Sequence, residues 1–133
     1  MSTRSSISHF QPDGSIKQIY CHSDGYLKGV GGCLLSFFNS EEKAAELMAL
    51  GDLSGFNNDG EVSAFHRDRG EDWEDVAPHK YTTFVDWRVD GDWQSFDYAF
   101  KDGTWFLYFP KIKKFKKLTE NLIAGGEEEF ITF

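Results

Sequence analysis

Cysteine and long apolar runs are scarce in this chain of 133 residues. Cys21 and Cys33 are its only cysteines, and neither belongs to a C-x-x-C pair, which argues against a disulfide framework or a structural zinc ribbon. No apolar stretch approaches the roughly 20 residues needed to span a bilayer, and no apolar run of signal-peptide length follows residues 1–6. We therefore expect a soluble, intracellular protein in a reducing compartment.

Familiar catalytic and phosphate-binding motifs are also missing. The sequence contains no G-x-S-x-G, no H-E-x-x-H and no calcium-loop pattern, so the common hydrolase and metalloprotease mechanisms lack their usual support. Gly29, Gly31 and Gly32 precede a predicted helix, where free N–H groups attract anions. They match neither G-x-G-x-x-G nor the Walker pattern, and they equally suit a turn that packs closely. An enzyme that uses other groups stays open.

Basic residues are outnumbered, because 14 lysines and arginines face 22 acidic residues and leave a formal net charge of -8. This balance disfavours broad binding to nucleic acid, which requires Lys and Arg to replace counterions along the phosphates. Five of the 14 lie in the run Lys111–Lys117, and the other 9 leave the rest of the chain at -13. Such a body attracts a basic protein groove rather than DNA. We interpret the lysine run as a solvated face, with contact to nucleic acid or an acidic partner as the alternative.

Aromatic residues, in contrast, are abundant, with 13 Phe, 5 Tyr and 4 Trp. A hydrophobic content of 40% suits one compact domain over residues 1–133 with a sizeable core. Buried at roughly 25 cal/mol per Å² of apolar area, these rings are expected to dominate the stability.

The beginning of the chain predicts a β-hairpin. Segments 5–10 and 15–20 flank Pro12-Asp13-Gly14, which indicates a turn because proline presets φ and glycine tolerates positive φ. The second strand would deliver Cys21 and His22 to its end.

An αα-hairpin is predicted next, near residues 29–50. From Val30 the apolar residues recur at the spacing of an amphipathic helix. Asn39 or Ser40 is suited to cap a second helix, which Gly51 ends.

The following segment predicts a β-meander. Residues 51–60 indicate a loop by their Gly, Asn and Asp content, and residues 62–65 a short strand. Strand patterns return at residues 81–87, 93–100 and 104–109, with turns at Asp90-Gly91 and Asp102-Gly103.

The C-terminal part predicts a helix. Ile112, Phe115 and Leu122 fit a helical stripe, and a strand or loop over residues 111–117 is the alternative. Residues 127–133 suit either a tail or a short strand. The combined prediction is a single α+β domain, in which an antiparallel sheet, made of the N-terminal hairpin and the C-terminal meander, packs against the αα-hairpin and the C-terminal helix.

Two polar clusters interrupt this apolar pattern, and the first contains Cys21, His22 and Asp24. All three carry atoms that ligate transition metals, so a metal ion here is one interpretation. Adjacent residues of a strand point to opposite faces, however, and only His22 and Asp24 would share one. The favoured interpretation is therefore structural, with a buried Cys21 and a turn at Asp24, and no cofactor is predicted.

The second cluster reads His66, Arg67, Asp68 and Arg69. Its alternating charges are able to orient a phosphate or a carboxylate, because Arg offers a planar fork of donors and His transfers protons near neutral pH. The same alternation builds a structural network of ion pairs, which we favour. A ligand site made of both clusters requires them to meet in space.

An acidic segment follows, with Trp73 at the centre of Glu71, Asp72, Glu74 and Asp75. Tryptophan is enriched where proteins bind one another, so an exposed Trp73 among carboxylates would be an anchor for a partner. A buried Trp73 would remove this interpretation.

Four motifs occur in order along the chain: Met1-Ser2-Thr3-Arg4-Ser5, Tyr20-Cys21-His22-Ser23-Asp24-Gly25-Tyr26, Leu50-Gly51-Asp52-Leu53-Ser54 and His66-Arg67-Asp68-Arg69-Gly70-Glu71. Through these motifs and their order, the chain resembles a family of small bacteriophage and prophage proteins, strongly over residues 1–75 and weakly beyond. In that family the second motif commonly reads Tyr-Cys-His-Trp-Asp-Gly-Tyr, whereas this chain has Ser23 in place of the Trp and so lacks an aromatic ring there. The resemblance implies the cytoplasm of the bacterial host, and it brings no catalytic activity with it.

We therefore expect a non-enzymatic phage accessory protein that binds and inhibits or modulates a host protein through acidic and aromatic surface. A nucleic-acid-handling defence factor of the restriction or CRISPR type, with a basic groove, is the expected partner, and neither a membrane nor direct binding of nucleic acid is expected. The alternative is a small enzyme or sequestering protein that holds a nucleotide or another phosphate compound between the two clusters. A structural assembly component, which would form a homo-oligomer, is the third hypothesis.

Overall fold

The computed structural model describes residues 2–133, so Met1 of the first motif lies outside the described residues. The strands are β1 Ser5–Phe10, β2 Ile16–Cys21, β3 Leu53–Phe56, β4 Val62–Ala64, β5 His79–Tyr81, β6 Phe96–Lys101, β7 Thr104–Phe109, β8 Lys114–Lys117 and β9 Phe130–Ile131. The helices are α1 Gly32–Phe37, α2 Glu41–Leu50, α3 Phe65–Arg69, α4 Trp73–Val76, α5 Phe84–Asp90 and α6 Glu120–Ile123, and a π-helical turn, Leu27–Gly31, leads into α1. Within residues 2–133, no helix has the length and apolar content needed to cross a membrane.

The strands form one mixed sheet in the order β4-β3-β2-β1-β6-β7-β8-β9, with β5 paired to the first half of β2. β1 and β2 are an antiparallel hairpin, and β6 to β9 are an antiparallel meander. The two parts join where β1 runs parallel to β6, from Ser5 beside Phe96 to Phe10 beside Lys101. The predicted α+β fold with its N-terminal hairpin is confirmed, and a meander is present but is formed by β6 to β9 without the predicted strand over residues 81–87. The prediction of a purely antiparallel sheet is wrong, because β1 and β6 pair in parallel and make the sheet mixed.

Side chains alternate across the sheet and so divide the core between its two faces. On one face, Ile7, Ile19 and Phe100 pack against α1, α2 and α6 in the larger cluster. On the other, Ile16 and Phe115 pack with Trp87 of α5. The face beneath α5 also holds several buried polar side chains, namely Ser6, Ser8, Gln18 and Asp97.

Both predicted hairpins are confirmed. The turn between β1 and β2 has Gly14 at a φ of 90°, where a side chain would be strained, and Asp13 accepts a hydrogen bond from the backbone of Ser15. Ser40 caps α2 by accepting from the N–H of Lys43 at 3.2 Å, and Gly51 follows its last residue.

The prediction of a loop over residues 51–60 is wrong in its first half. Leu53 pairs in parallel with Cys21, and the rest of β3 pairs with β4, so backbone hydrogen bonds to two neighbours hold this segment extended. The predicted strand at residues 62–65 ends at Ala64, because α3 begins at Phe65.

The predicted strand over residues 81–87 is also wrong, since only Tyr81 belongs to β5 and α5 follows. Thr83 caps α5 by accepting from the N–H of Asp86 at 3.1 Å. The helix buries Trp87 fully against the sheet, and its indole N–H donates to Ser8 at 2.9 Å. Tertiary burial of one large ring outweighs the β propensity of the preceding Thr and Phe residues.

The C-terminal helix predicted from the stripe of Ile112, Phe115 and Leu122 is much shorter than expected. β8 occupies residues 114–117 and buries Phe115 against β7, as the strand alternative predicted. Helix appears only in α6, where Thr119 accepts from the N–H of Leu122 at 3.0 Å. Residues 127–133 include the short strand β9, which pairs with β8.

Candidate functional site

The first polar cluster lies at the end of β2 and divides between the two faces of the sheet. Cys21 is buried in the larger core, and burial raises the pKa of its thiol to about 12. Tyr20 points the other way, and its hydroxyl lies 2.7 Å from Nδ1 of His22. Cys21 is therefore a neutral core residue, while Tyr20 and His22 form a polar pair near the surface.

Asp24 is exposed and belongs to a tight turn rather than to a ligand cluster. Its φ is 56°, and its carbonyl accepts from the N–H of Val30 at 2.8 Å. A side chain at Gly29 would collide with that carbonyl, which explains one glycine of the Gly29–Gly32 segment by close packing. In residues 2–133, no group of three or more His, Cys, Asp or Glu side chains is arranged to hold a metal ion.

The second cluster occupies the exposed helix α3, where two of its members pair with each other. The Arg67 guanidinium lies 2.9 Å from the Asp68 carboxylate and also donates to the carbonyl of Val62. Asp68 accepts from the N–H of Ala64 at 2.7 Å, and its bonds to Arg67 hold its pKa below the usual range. Arg67 and Asp68 therefore fasten the start of α3 to β4.

The structure brings only Arg69 of the second cluster towards the first. Ser54 on β3 links them, because its carbonyl accepts from the N–H of Ser23 at 3.0 Å and its hydroxyl accepts from Arg69 at 3.1 Å. His66 turns instead towards α4, with Nδ1 2.7 Å from the carbonyl of Glu71.

The acidic segment forms a continuous exposed surface around Trp73. We define the acidic surface as the five exposed residues Glu71, Asp72, Trp73, Glu74 and Asp75. The Trp73 side chain is 39% exposed and its ring meets His66 edge-on at 5.3 Å between centroids. A side chain at Gly51 would approach the same ring at 2.9 Å, so the inner edge of Trp73 rests on the backbone there. One part of the indole is thus fixed while the other faces solvent.

Outside the acidic surface, Asp52 is a partly buried carboxylate. Asp52 accepts from the N–H of Tyr20 at 2.9 Å. Burial raises the pKa of Asp52, although its hydrogen bond from Tyr20 acts in the opposite direction.

The lysine run lies at the opposite edge of the sheet. β8 is six strand positions from β4, which corresponds to roughly 30 Å along the sheet at about 4.8 Å per strand. Lys116 lies over the ring of Phe130 at 4.6 Å and reaches Glu127 at 3.9 Å. Lysines are therefore concentrated at this edge, where Glu127 partly offsets their charge.

Sequence reasoning missed Asp97, the one buried carboxylate of the described residues. Its Oδ1 accepts from the Ser6 hydroxyl at 2.6 Å and from the N–H of Gln94 at 2.9 Å, and burial raises its pKa to about 6. The sequence feature that could have indicated it is a carboxylate between two aromatic residues, Phe96 and Tyr98, within a predicted strand.

Comparison of this chain with protein-family models, curated proteins and solved structures finds no match in any of the three.

Proposed function

We propose that this chain is a non-enzymatic binding protein that docks onto a basic surface of another protein. The observation that carries the proposal is the acidic surface, in which four carboxylates surround a partly exposed and partly fixed Trp73. Carboxylates that stay exposed keep their hydration in the free protein and are ready to meet cations of a partner.

Trp73 supplies the apolar contact within this surface. Its contacts with His66 and the backbone at Gly51 limit the conformations of the ring before a partner arrives. Little side-chain entropy is then lost on binding, and a large flat ring is a frequent centre of binding energy.

The separation of charge orients the approach. The carboxylates of the acidic surface attract a basic partner, while the lysines of β8 at the far edge, partly offset by Glu127, do not. Such an asymmetric field speeds productive encounter and makes the association rate sensitive to salt.

The resemblance to phage proteins supplies the setting of the proposal. It supports a host protein as the partner, and the net charge of -8 supports one with a basic nucleic-acid-binding groove, such as a restriction or CRISPR nuclease. The alternative, a phosphate site between the two polar clusters, is supported by Arg69 alone, because Arg67 pairs with Asp68 and His66 turns towards α4.

Co-purification from bacteria followed by mass spectrometry would identify the partner, and binding of that partner tests the proposal. We expect the variant Glu71→Gln/Asp72→Asn/Glu74→Gln/Asp75→Asn to bind at least about tenfold more weakly at low salt, with the deficit shrinking as salt rises. Trp73→Ala should weaken binding at every salt concentration, because an apolar contact is not screened.

The matched control removes four exposed carboxylates elsewhere, in the variant Glu42→Gln/Glu120→Gln/Glu127→Gln/Glu129→Gln. It changes the net charge equally and is expected to alter the affinity by less than about twofold. Equal losses in the two variants, or no loss in the first, would show that the acidic surface is not the docking site.

A further inference from the structure

A cavity of about 550 Å³ opens where the start of β6 and the end of β7 meet their connecting segments. Its lining includes four aromatic residues, Trp93, Phe96, Tyr108 and Phe109, together with Asp97 and Lys111. Trp93 is partly exposed and lies 5.1 Å from the ring of Tyr108 between centroids. Tyr108 is 3% exposed and packs behind it, so Trp93 is the accessible part of this aromatic wall. The volume falls within the range of small-ligand sites, roughly 300–1,000 Å³.

Asp97 is the polar group of this wall, and its side chain lacks a cationic partner. The residue is 2% exposed, and Oδ1 accepts both of its hydrogen bonds, from Ser6 and from Gln94. Among residues 2–133, no Lys, Arg or His nitrogen lies within 4.0 Å of the carboxylate, and no hydrogen bond uses Oδ2. A desolvated carboxylate in this state favours a ligand that brings positive charge and N–H donors.

The aromatic walls narrow the class of ligand further. Aromatic faces attract cations, and the guanidinium group combines charge, a flat face for stacking and several donors in one plane. A neutral ring would not offset the carboxylate, and an anion would meet it as a like charge.

We propose that this cavity binds a guanidinium group, which donates to Asp97 and stacks on the accessible ring of Trp93. The site is separate from the acidic surface and does not depend on the proposed docking function. The raised pKa of Asp97, about 6, shows how strongly its surroundings oppose an unpaired charge. At neutral pH the group is still mainly ionised and able to attract a cation.

Methylguanidine is the first probe. Its binding at neutral pH is measured by titration calorimetry and by the change in the NMR signal of the Trp93 indole N–H. Asp97→Asn should weaken binding at least about tenfold, because the charge is lost while an oxygen still accepts from Ser6 and Gln94. Asp102→Asn, on the exposed turn between β6 and β7, is the matched control and should leave the affinity within about twofold.

Lys111→Gln gives an independent test at an exposed position. Removing the lysine should strengthen methylguanidine binding, because a like charge leaves the lining, whereas an anion site would be weakened. The proposal is overturned if methylguanidine leaves the Trp93 signal unchanged, if Asp97→Asn binds as well as the parent, or if inorganic phosphate binds and Lys111→Gln abolishes that binding.

A second pair of probes distinguishes the source of the guanidinium. A glycine peptide with one central arginine that binds at least about tenfold more tightly than methylguanidine would identify an arginine side chain of a protein. Equal affinities would identify a free small molecule, and both outcomes support the site. Because the acidic-surface variant keeps the cavity intact, it should bind methylguanidine normally even if the docking proposal fails.

Discussion

Burial and pairing set the protonation of individual polar groups in this molecule. Burial raises the pKa of the Cys21 thiol to about 12 and that of Asp97 to about 6. On exposed α3, hydrogen bonds from Arg67 lower the pKa of Asp68 instead. Cys21 is thus inert at neutral pH, whereas Asp97 carries a charge that its surroundings oppose.

Asp97→Asn is expected to stabilise the protein at about pH 7.5 and to have little effect at about pH 4. The folded-state pKa of Asp97, about 6, lies above its ordinary value of 3.8, so the folded protein holds the proton more tightly than the unfolded chain. The stability linked to this group is present below pH 3.8 and is lost as the pH rises through about 6. The difference between these two pKa values corresponds to about 3 kcal/mol of unfolding free energy.

Urea unfolding of the parent and of Asp97→Asn at the two pH values measures this difference. Asp102→Asn, whose side chain is exposed, should change the unfolding free energy by the same amount at both pH values. A stabilisation by Asp97→Asn that is the same at low and neutral pH would contradict the assigned protonation.

Close packing holds the short elements of this fold in place. α3, α4 and α6 have 5, 4 and 4 residues, too few to persist alone in water. The π-helical turn before α1 packs Gly29 directly against the carbonyl of Asp24. Tertiary contacts at single positions therefore decide whether such elements form.

Gly29→Ala is expected to destabilise the protein by at least about 2 kcal/mol, because the added methyl group meets the backbone of Asp24. Gly32→Ala is the matched control, since the nearest atom to its methyl group is the Leu27 carbonyl oxygen at 3.9 Å. At this helical position alanine should stabilise by about 0.4–1 kcal/mol. Thermal unfolding of both variants checks the prediction, and a neutral Gly29→Ala would show that the turn yields easily.

An element could be predicted from the sequence when its local signals and its tertiary burial favour the same structure. Pro12-Asp13-Gly14 and the cap at Ser40 act on their own neighbours, so β1, β2 and α2 were predicted correctly. At α5 the local preference of Thr82 and Thr83 for strand opposes the burial of Trp87, and burial prevails. At β8 a helical stripe competes with pairing to β7, which only the folded sheet supplies.

The whole molecule is organised around the parallel pairing of β1 with β6, which joins segments about 90 residues apart in sequence. These strands occupy the centre of the sheet, while β4 and β9 lie at its edges. The acidic surface and the lysine run are attached to opposite edges, so the same topology that builds the core also places these two segments far apart.

Amide hydrogen exchange should follow this arrangement. We expect the slowest exchange in β1 and β6, because opening them requires the hairpin and the meander to separate, and the fastest strand exchange in β9 and β4. NMR-detected exchange on the intact protein measures this order. Protection in β9 equal to that in β1 would mean that the sheet does not open from its edges.

The sequence by itself determined the α+β class, the two hairpins and the exposed acidic segment, because turn residues, caps and runs of charge act over a few neighbouring residues. Only the tertiary structure decided that Arg69 approaches the first cluster through Ser54, that Trp73 stays partly exposed, and that Asp97 lines an aromatic cavity. These three features depend on segments that are far apart in sequence and lie side by side in the fold. The burial of a residue in a sheet is set by such neighbours rather than by its own type.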